Sequence, residues 1–361
     1  MTTPLAQIVA RARISRLALI GLAKNVGKTT TTNHLLAALL NEGFYSAGEL
    51  ALTSLGLDGE ATDAMTGLPK PRYVPQAGLL VATTIDLLRQ AESDGVEVEY
   101  LEQLKGRTAL GPVMLARVVE SGHIVIAGPT LLRDIRSALD RLQEYGVHLG
   151  IVDGAINRLG AASPGVTDAC IVCTGASVGS TPELVARRTT DVLTRLLAPQ
   201  TQWMNAYKKL LPQAHLLAFS PGTTEEQALC FSGPSEPTTE AKWIVEQMQT
   251  DPQTVFLLRG AFNEELSREL LTQLSHRGTD AHAEIVVDDA TRIFCHAVVL
   301  QRLAARGLQV GVAHPICVLA LTINPYTPEY SCTPQRFIDA LLKELPIEHP
   351  PIIDVVSGLI A

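Results

Sequence analysis

Short apolar runs alternate along the chain with longer segments in which apolar residues recur every three or four positions. Such alternation is typical of parallel βαβ units, in which buried strands are joined by amphipathic helices. The first example is RLALIG (16–21), followed by TTTTNHLLAALLNEG (29–43), whose leucines lie on one side of a helix that ends at Gly43. The pattern predicts an α/β fold with a mostly parallel sheet and helices on both of its faces.

The same alternation continues through the first half of the chain. A second predicted strand, FYSAGELAL (44–52), is followed by a polar segment at 53–72 that is rich in turn-forming residues. The later predicted strands are VMLARVV (113–119), HIVIAG (123–128), HLGIVDG (148–154) and ACIVCTG (169–175), and the predicted helices are LLRDIRSALDRLQEYG (131–146) and PELVARRTTDVLTRLL (182–197).

The pattern becomes indistinct near residue 200, and FSGPSEPTTE (231–240) predicts a loop. A second alternating series then begins. Because 361 residues exceed what one hydrophobic core usually serves, we predict a nucleotide-binding domain at 1–199 and a second α/β region at 200–361. The second series comprises strands at 254–260, 284–289, 308–313 and 317–323 and helices at 263–276, near 296–306 and at 334–345.

Composition narrows the class of protein. The net charge is −8 and the 29 Lys and Arg residues are scattered, so the chain lacks the basic stripe of a nucleic-acid surface. No segment approaches the roughly 20 apolar residues of a membrane helix, and the N-terminus does not have the pattern of a signal peptide. Cys170 and Cys173 form a C-x-x-C within a predicted strand, where they face opposite sides and are expected to be buried structural thiols. We expect a soluble cytoplasmic protein without nucleic acid or membrane among its partners.

The segment GLAKNVGKTTTTN (21–33) carries the clearest chemical signal. Gly27, Lys28 and Thr29 match the end of the phosphate-binding motif G-x-x-x-x-G-K-[ST], but Leu22 occupies the first glycine position and Gly21 lies one residue too early. In such loops backbone N–H groups surround the phosphates, the lysine reaches the β and γ oxygens, and the hydroxyl completes the Mg²⁺ shell.

The context of a strand, a loop and a helix favours a nucleotide loop with an irregular start, in which Gly21 supplies the bend. The alternative is a helix N-cap turn that contains G-K-T by chance. The predicted nucleotide-binding residues of the loop are Lys24, Asn25, Val26, Gly27, Lys28, Thr29 and Thr30.

Acidic partners are expected for the metal and the attacking water. Asp153 follows the apolar run HLGIV, the position of an aspartate that holds Mg²⁺ directly or through water; the alternative is an Asp-Gly turn. Asp58, with Glu60 and Asp63 nearby, is the candidate to orient the water, and the alternative is a solvated acidic loop. Ser54 is a further candidate ligand to metal or phosphate.

The nucleotide base also has a candidate partner. Asn324, in TINPYTP after an apolar strand, is a candidate for the adenine, although a plain Asn-Pro turn explains it equally well. The guanine-reading pattern N-K-x-D is absent from the sequence, which favours ATP. Lys24 resembles the extra loop lysine of dimerising P-loop ATPases, although it lies one residue later in the loop. One interpretation is therefore a homodimer in which Lys24 reaches the phosphates of the neighbouring subunit.

Several blocks together resemble one family. They are GLAKNVGKTTTTN, LTSLGLDGE, KPRYVP with LLVATT, IVDGAINR, DACIVCTGAS, DDATRIF and TINPYTP. The chain is similar, from about residue 17 to residue 324, to the P-loop subunit of the reactivating factor for the adenosylcobalamin-dependent lysine 5,6-aminomutase and ornithine aminomutase.

The resemblance implies a P-loop NTPase-like fold and an ATP-binding subunit that acts with a MutS-like ATPase partner. The pair would use ATP to restore an aminomutase by releasing damaged cobalamin. Gly27, Lys28 and Thr29 would bind MgATP, Lys28 and Asp58 would serve catalysis, and Thr29 and Asp153 would hold Mg²⁺.

Three alternatives remain at this level. In the first alternative the chain is an ATP-dependent small-molecule synthetase or kinase, such as a biotin-pathway ligase, with an acceptor pocket in its second half. It would be a GTPase metallochaperone that guards a cobalamin mutase, against which the missing N-K-x-D argues. Or it would be a regulatory subunit that binds nucleotide and leaves hydrolysis to its partner, which the irregular loop favours.

Overall fold

A computed structural model describes residues 3–56, 72–108, 110–154, 159–210, 214–222, 227–275, 281–327 and 331–361. The chain forms two compact units. The first contains Met1–Thr189 together with Cys317–Ala361, and the second contains Thr190–Ile316. These ranges differ from the predicted ones, 1–199 and 200–361, chiefly because the C-terminal segment returns to the first unit. This segment belongs to the first unit because its strand at 318–324 pairs with a strand of the first unit's sheet.

The strands of the described residues, in chain order, are β1 (Arg16–Gly21), β2 (Leu50–Ser54), β3 (Leu80–Thr84), β4 (Val98–Thr108), β5 (Gly111–Val118), β6 (Leu149–Asp153), β7 (Ala169–Gly175), β8 (Leu216–Phe219), β9 (Leu229–Cys230), β10 (Val255–Leu258), β11 (Ala283–Val287), β12 (Leu308–Val312), β13 (Val318–Asn324) and β14 (Ile352–Ile353).

The α-helices of the same residues are α1 (Pro4–Ala12), α2 (Lys28–Asn41), α3 (Ile85–Ser93), α4 (Leu132–Glu144), α5 (Pro182–Leu196), α6 (Met204–Leu210), α7 (Pro237–Thr250), α8 (Glu264–Ser275), α9 (Ala297–Ala304) and α10 (Pro334–Glu344). None of the described helices is long and apolar enough to cross a membrane.

The first unit is built on a nine-stranded mixed sheet in the order β14-β13-β7-β1-β6-β2-β3-β5-β4. The pairs β3–β5 and β5–β4 are antiparallel, and the other pairs are parallel. Every residue of β2, β3, β6 and β7 is buried. Because alternate side chains of a strand face opposite sides, both faces of the sheet are covered at these strands.

The first strand, β1, lies between β6 and β7. Leu19 pairs with Asp153 on one side, and Gly21 pairs with Cys173 on the other. One strand further along, Asn324 at the end of β13 pairs with Gly175 at the end of β7. Parallel strands end at the same edge of a sheet, so the segments that follow β1, β6, β7 and β13 meet there.

The second unit has a five-stranded sheet in the order β12-β11-β10-β8-β9. Its strands β10, β11 and β12 are parallel and are joined by α8 and α9, whereas β8 runs antiparallel to both of its neighbours. Its core comprises Tyr207, Leu217, Val255, Leu257, Val286 and Ala313. The α/β class predicted from the sequence is therefore found in both units.

Three predicted elements differ from the observed ones. The predicted strand at 123–128 is not a continuous strand but contains isolated bridges at Ile124, which pairs with Tyr73, and at Ala127. The predicted strand at 44–52 begins later, since a capping box of Ser46 and Glu49 forms a short 3₁₀ turn directly before β2. The predicted loop at 231–240 contains the start of α7, where Pro237 occupies the first turn, a position that tolerates its missing N–H.

Candidate functional site

The loop between β1 and α2 reverses direction through two residues in the left-handed region. Asn25 has φ 59° and Gly27 has φ 82°. Gly21 is the last residue of β1 and is not among the glycines with positive φ. The next residue, Leu22, still donates its amide to the Cys173 carbonyl at 3.0 Å. The left-handed turn therefore lies at Asn25 and Gly27, not at Gly21, where the bend was predicted.

Gly27 directly precedes α2 and packs closely against Asn324. A Cβ atom at Gly27 would lie 3.2 Å from Cβ of Asn324. The Gly27 carbonyl accepts the amide of Thr31 at 2.8 Å, the first bond of the helix. The N–H groups of a first helical turn have no partner within the helix, so this end favours negative charge. Glycine is thus favoured here by its left-handed conformation, and an added Cβ would also require Asn324 to shift by a few tenths of an ångström.

Lys28 is the first residue of α2, and its side chain is buried at the edge of the sheet. Its ammonium forms an ion pair with Oδ1 of Asp153 and donates to the carbonyl of Gly154. Lys28 is 7% exposed and Asp153 is fully buried. A buried pair of this kind is stable only while both charges are compensated. The two residues, which are 125 positions apart in the chain, are therefore in direct contact.

Tyr73 is a third member of this cluster that sequence reasoning missed. Its hydroxyl donates to Oδ2 of Asp153, and its ring is buried. Its backbone is fixed by the bridge to Ile124, whose amide donates to the Tyr73 carbonyl at 3.0 Å. The available signal was a single tyrosine in the otherwise turn-rich segment that includes KPRYVP. Nothing in that pattern points to a contact with Asp153.

Asn324 contacts the loop itself. Its Nδ2 donates to the carbonyl of Asn25 at 2.8 Å, and its Oδ1 accepts the amide of Tyr326 at 3.3 Å. A Cβ at Gly175 would lie 2.7 Å from the Asn324 carbonyl oxygen, so the two strand ends approach closely. The structure thus places Asn324 against the backbone of the predicted phosphate loop.

The other loop residues vary in exposure. Val26 is buried, Thr29 is half-buried, and Lys24 and Thr30 are exposed. The carbonyl of Lys24 accepts the Ser177 hydroxyl at 2.5 Å, which ties the middle of the loop to the turn after β7. These contacts hold the loop backbone from two neighbouring strand ends.

Ser54, a predicted ligand, is instead engaged by the backbone. Its hydroxyl is fully buried, contacts the carbonyls of Gly56 and Ile126 at 2.8 and 3.1 Å, and accepts the Gly128 amide at 3.0 Å. A Cβ at Gly128 would lie 2.1 Å from the Ser54 carbonyl oxygen. Ser54 therefore joins the end of β2 to the segment predicted as a strand at 123–128.

Cys173 lies beside the Lys28–Asp153 pair. The pKa of its thiol is raised to about 11, chiefly by burial and also by Asp153, against the lowering effect of hydrogen bonds with Thr322 and Thr31 and of the Lys28 charge. The thiol is therefore protonated near neutral pH and is a poor nucleophile. Cys170 is also buried, which confirms the expectation that this C-x-x-C consists of buried thiols.

Asp58, Glu60 and Asp63 lie outside the described residues. Within the described ranges, no group of three or more His, Cys, Asp and Glu side chains is arranged to hold a metal ion.

The second unit contains a separate cavity of about 400 Å³. Trp203, His282 and Glu284 line it, together with three glutamines, Gln202, Gln253 and Gln309. Burial raises the pKa of Glu284, and a hydrogen bond with Thr201 lowers it. The cavity lies near the first residues of β10 and β11, the edge opposite to their carboxyl ends.

Comparisons with protein-family models, with curated proteins and with solved structures find no match to this chain.

Proposed function

We propose that the first unit is P-loop NTPase-like and binds the phosphates of ATP, with Mg²⁺, at the loop between β1 and α2. The observation that carries the proposal is the position of Lys28, which begins a helix after a left-handed glycine and lies buried beside Asp153. In open α/β sheets, ligands bind at the carboxyl ends of the strands. Helix N-termini that follow glycine-containing loops at this edge bind phosphate.

Phosphate binding requires Lys28 to exchange one anionic partner for another. Its ammonium would bind the phosphate oxygens in place of Asp153, and Asp153 would hold the metal cation. Each buried charge thus keeps a partner of opposite sign in both arrangements, which avoids the cost of an isolated buried ion. Asp153 and Thr29 supply a carboxylate and a hydroxyl, the oxygen donors that Mg²⁺ prefers.

The first test is a calorimetric titration with MgATP and with MgGTP. We expect selective binding of ATP that Lys28→Met abolishes. Lys242→Ala, which changes an exposed lysine of α7, is the matched control and should bind ATP normally. Because Lys28→Met leaves Asp153 without its cation, the double variant Lys28→Met/Asp153→Asn serves as a neutral, folded reference. Binding of ATP by that reference at wild-type affinity would contradict the proposed site.

Asn324 remains our proposed adenine contact. Its amide already binds the loop, so recognition of the base would involve the same side chain that supports the phosphate loop. The predicted effect of Asn324→Ala is a smaller preference for ATP over GTP. An unchanged preference with weaker binding of both nucleotides would assign Asn324 to loop support alone.

We propose that ATP binding serves the reactivation of an adenosylcobalamin-dependent aminomutase. The support is the resemblance of the blocks listed by sequence above, two of which contain the Lys28 loop and Asp153. An enzyme that holds damaged cobalamin tightly releases it only if a ligand favours a different conformation. In this proposal the nucleotide drives that change, and a MutS-like ATPase subunit acts with this chain.

The test is recovery of an inactivated aminomutase on addition of this chain, the partner ATPase, MgATP and adenosylcobalamin. Recovery should disappear with Lys28→Met. Asp58→Ala is predicted to retain nucleotide binding while slowing hydrolysis or recovery.

The loop geometry also favours a second candidate, a subunit that binds ATP without hydrolysing it. The left-handed residues lie within four positions of Lys28, whereas the amide of Leu22 is still hydrogen-bonded to β7. Leu22 occupies the first glycine position of the phosphate-binding motif, so the loop starts differently from that motif. Phosphate release in a single turnover, measured with and without the partner, separates the two. Tight binding without phosphate release would favour the regulatory subunit. Turnover stimulated by a metabolite alone would favour a small-molecule synthetase or kinase.

A further inference from the structure

We infer that Tyr73 is a positioning residue that orients the Asp153 carboxylate toward the metal, an inference that rests on the proposed nucleotide site. The two oxygens of Asp153 have different partners. Oδ1 faces the Lys28 ammonium, and Oδ2 accepts the Tyr73 hydroxyl. Asp153 is fully buried, and these contacts hold its carboxylate at both oxygens.

Tyr73 is itself held by the helix that carries the phosphate loop. Asn33, in α2, donates its Nδ2 to the Arg72 carbonyl at 3.0 Å and accepts the Val74 amide on its Oδ1 at 3.3 Å. The side-chain amide thus bonds the residues on both sides of Tyr73. Together with the bridge to Ile124, this arrangement fixes the tyrosine relative to α2 and to Asp153.

These contacts make the two bonds of Asp153 unequal, since only the bond with Lys28 is exchanged in the proposed site. With Lys28 on the phosphates, Oδ1 of Asp153 would be available to hold the metal or its water, while Tyr73 would still hold Oδ2. A carboxylate held in this way does not need to be reoriented when the metal binds. Hydrogen-bond partners of a metal ligand typically change metal affinity by about 10- to 100-fold when they are removed.

The decisive measurement is nucleotide binding as a function of Mg²⁺ concentration for wild type and Tyr73→Phe. We expect the half-saturating Mg²⁺ concentration to rise by about tenfold in Tyr73→Phe, whereas affinity at saturating Mg²⁺ recovers to near the wild-type value. Asn33→Ala should shift the Mg²⁺ dependence in the same direction by a smaller factor, because it loosens the backbone on both sides of Tyr73.

Tyr145→Phe is the matched control, since it also removes a hydrogen bond between a tyrosine and a carboxylate, that of Tyr145 with Glu102 at 3.3 Å. It should leave the Mg²⁺ dependence unchanged. A loss of affinity in Tyr73→Phe that is equal at all Mg²⁺ concentrations, or no change at all, would overturn the inference. If wild type binds no nucleotide, or binds it without regard to Mg²⁺, the proposed site fails instead.

Discussion

The ammonium of Lys28 and the carboxylate of Asp153 form a buried ion pair between the start of α2 and the end of β6. Neither group has substantial contact with solvent, so each depends on the other for compensation of its charge. In the proposed site, these are the two residues that would bind the phosphate and the metal ion. The pair therefore links the stability of the first unit to the chemistry of the proposed site.

Removing only the cation should destabilise the first unit. In Lys28→Met the Asp153 carboxylate keeps its hydrogen bond with the Tyr73 hydroxyl but loses the positive charge that compensates its own. We therefore expect the free energy of unfolding to fall by about 3 kcal/mol. Urea unfolding followed by far-UV circular dichroism measures the loss, and hydrogen exchange of β6 locates it.

The double variant Lys28→Met/Asp153→Asn controls for packing. Its asparagine can still accept the Tyr73 hydroxyl, so no charge is left isolated. We expect it to recover more than half of the stability that Lys28→Met loses. Equal losses in the single and double variants would show that methylene packing, and not the ion pair, accounts for the effect.

A side chain at Gly27 should impair both the loop and nucleotide binding. Gly27→Ala places a Cβ at φ 82° and 3.2 Å from Asn324. The left-handed conformation alone costs an ordinary residue roughly 1–2 kcal/mol. Gly43→Ala is a matched control, because Gly43 has φ 71° but open space around its Cβ. We expect Gly27→Ala to lower the melting temperature more than Gly43→Ala and to weaken MgATP binding, as measured by calorimetry. Equal melting temperatures for Gly27→Ala and Gly43→Ala would mean that Asn324 shifts to accommodate the added Cβ without loss of stability.

The sequence allowed Lys28 and Asp153 to be assigned to one site because local patterns define the ends of β1 and β6, but it did not predict their ion pair. Parallel pairing then brings those ends to one edge. Tyr73 was not predictable in the same way, since its contact with Asp153 spans 80 residues and depends on the bridge to Ile124. The apolar run at 123–128 has the sequence pattern of a strand, but its backbone groups form hydrogen bonds with side chains, such as the Ser54 hydroxyl.

The return of the C-terminal segment to the first unit was also beyond local reasoning. The strand at 318–324 has the same apolar pattern as those of the second unit. Its pairing with β7 and β14 distinguishes it, and the pairing with β7 is a long-range contact. The close packing of Asn324 on Gly27 depends on this return.

The thiol of Cys173 should resist alkylation in the folded protein. It is buried and its pKa is raised to about 11, so almost no thiolate exists at pH 8. Cys230 is exposed and provides an internal comparison. After treatment with iodoacetamide at pH 8, peptide mass spectrometry should find Cys230 modified and Cys173 unmodified, and both modified in urea. Alkylation of Cys173 at the rate of Cys230 in the folded protein would contradict the described burial.

Stability of the second unit should depend on the charge of Glu284. Burial raises the pKa of this carboxyl in the folded state, so the folded protein binds the proton more tightly than the unfolded chain does. The resulting stabilisation is present below the ordinary carboxyl pKa and is lost as pH rises through the raised one. Glu284→Gln removes the charge and retains an acceptor for Thr201. We therefore expect it to increase the free energy of unfolding at pH 8 by less than about 1 kcal/mol, with little effect at pH 4.

Tryptophan fluorescence during urea unfolding is a suitable probe for this prediction, since Trp203 and Trp243 both belong to the second unit. Glu246→Gln, at an exposed position of α7, controls for the loss of a negative charge at the surface. We expect Glu284→Gln, but not Glu246→Gln, to increase stability at pH 8. That result would establish that burial of the ionised Glu284 carboxylate destabilises the folded protein. Destabilisation by Glu284→Gln at pH 8 would show that the ionised carboxylate makes a compensating contact, because only a favourable interaction of the charged form can reverse the sign expected from burial.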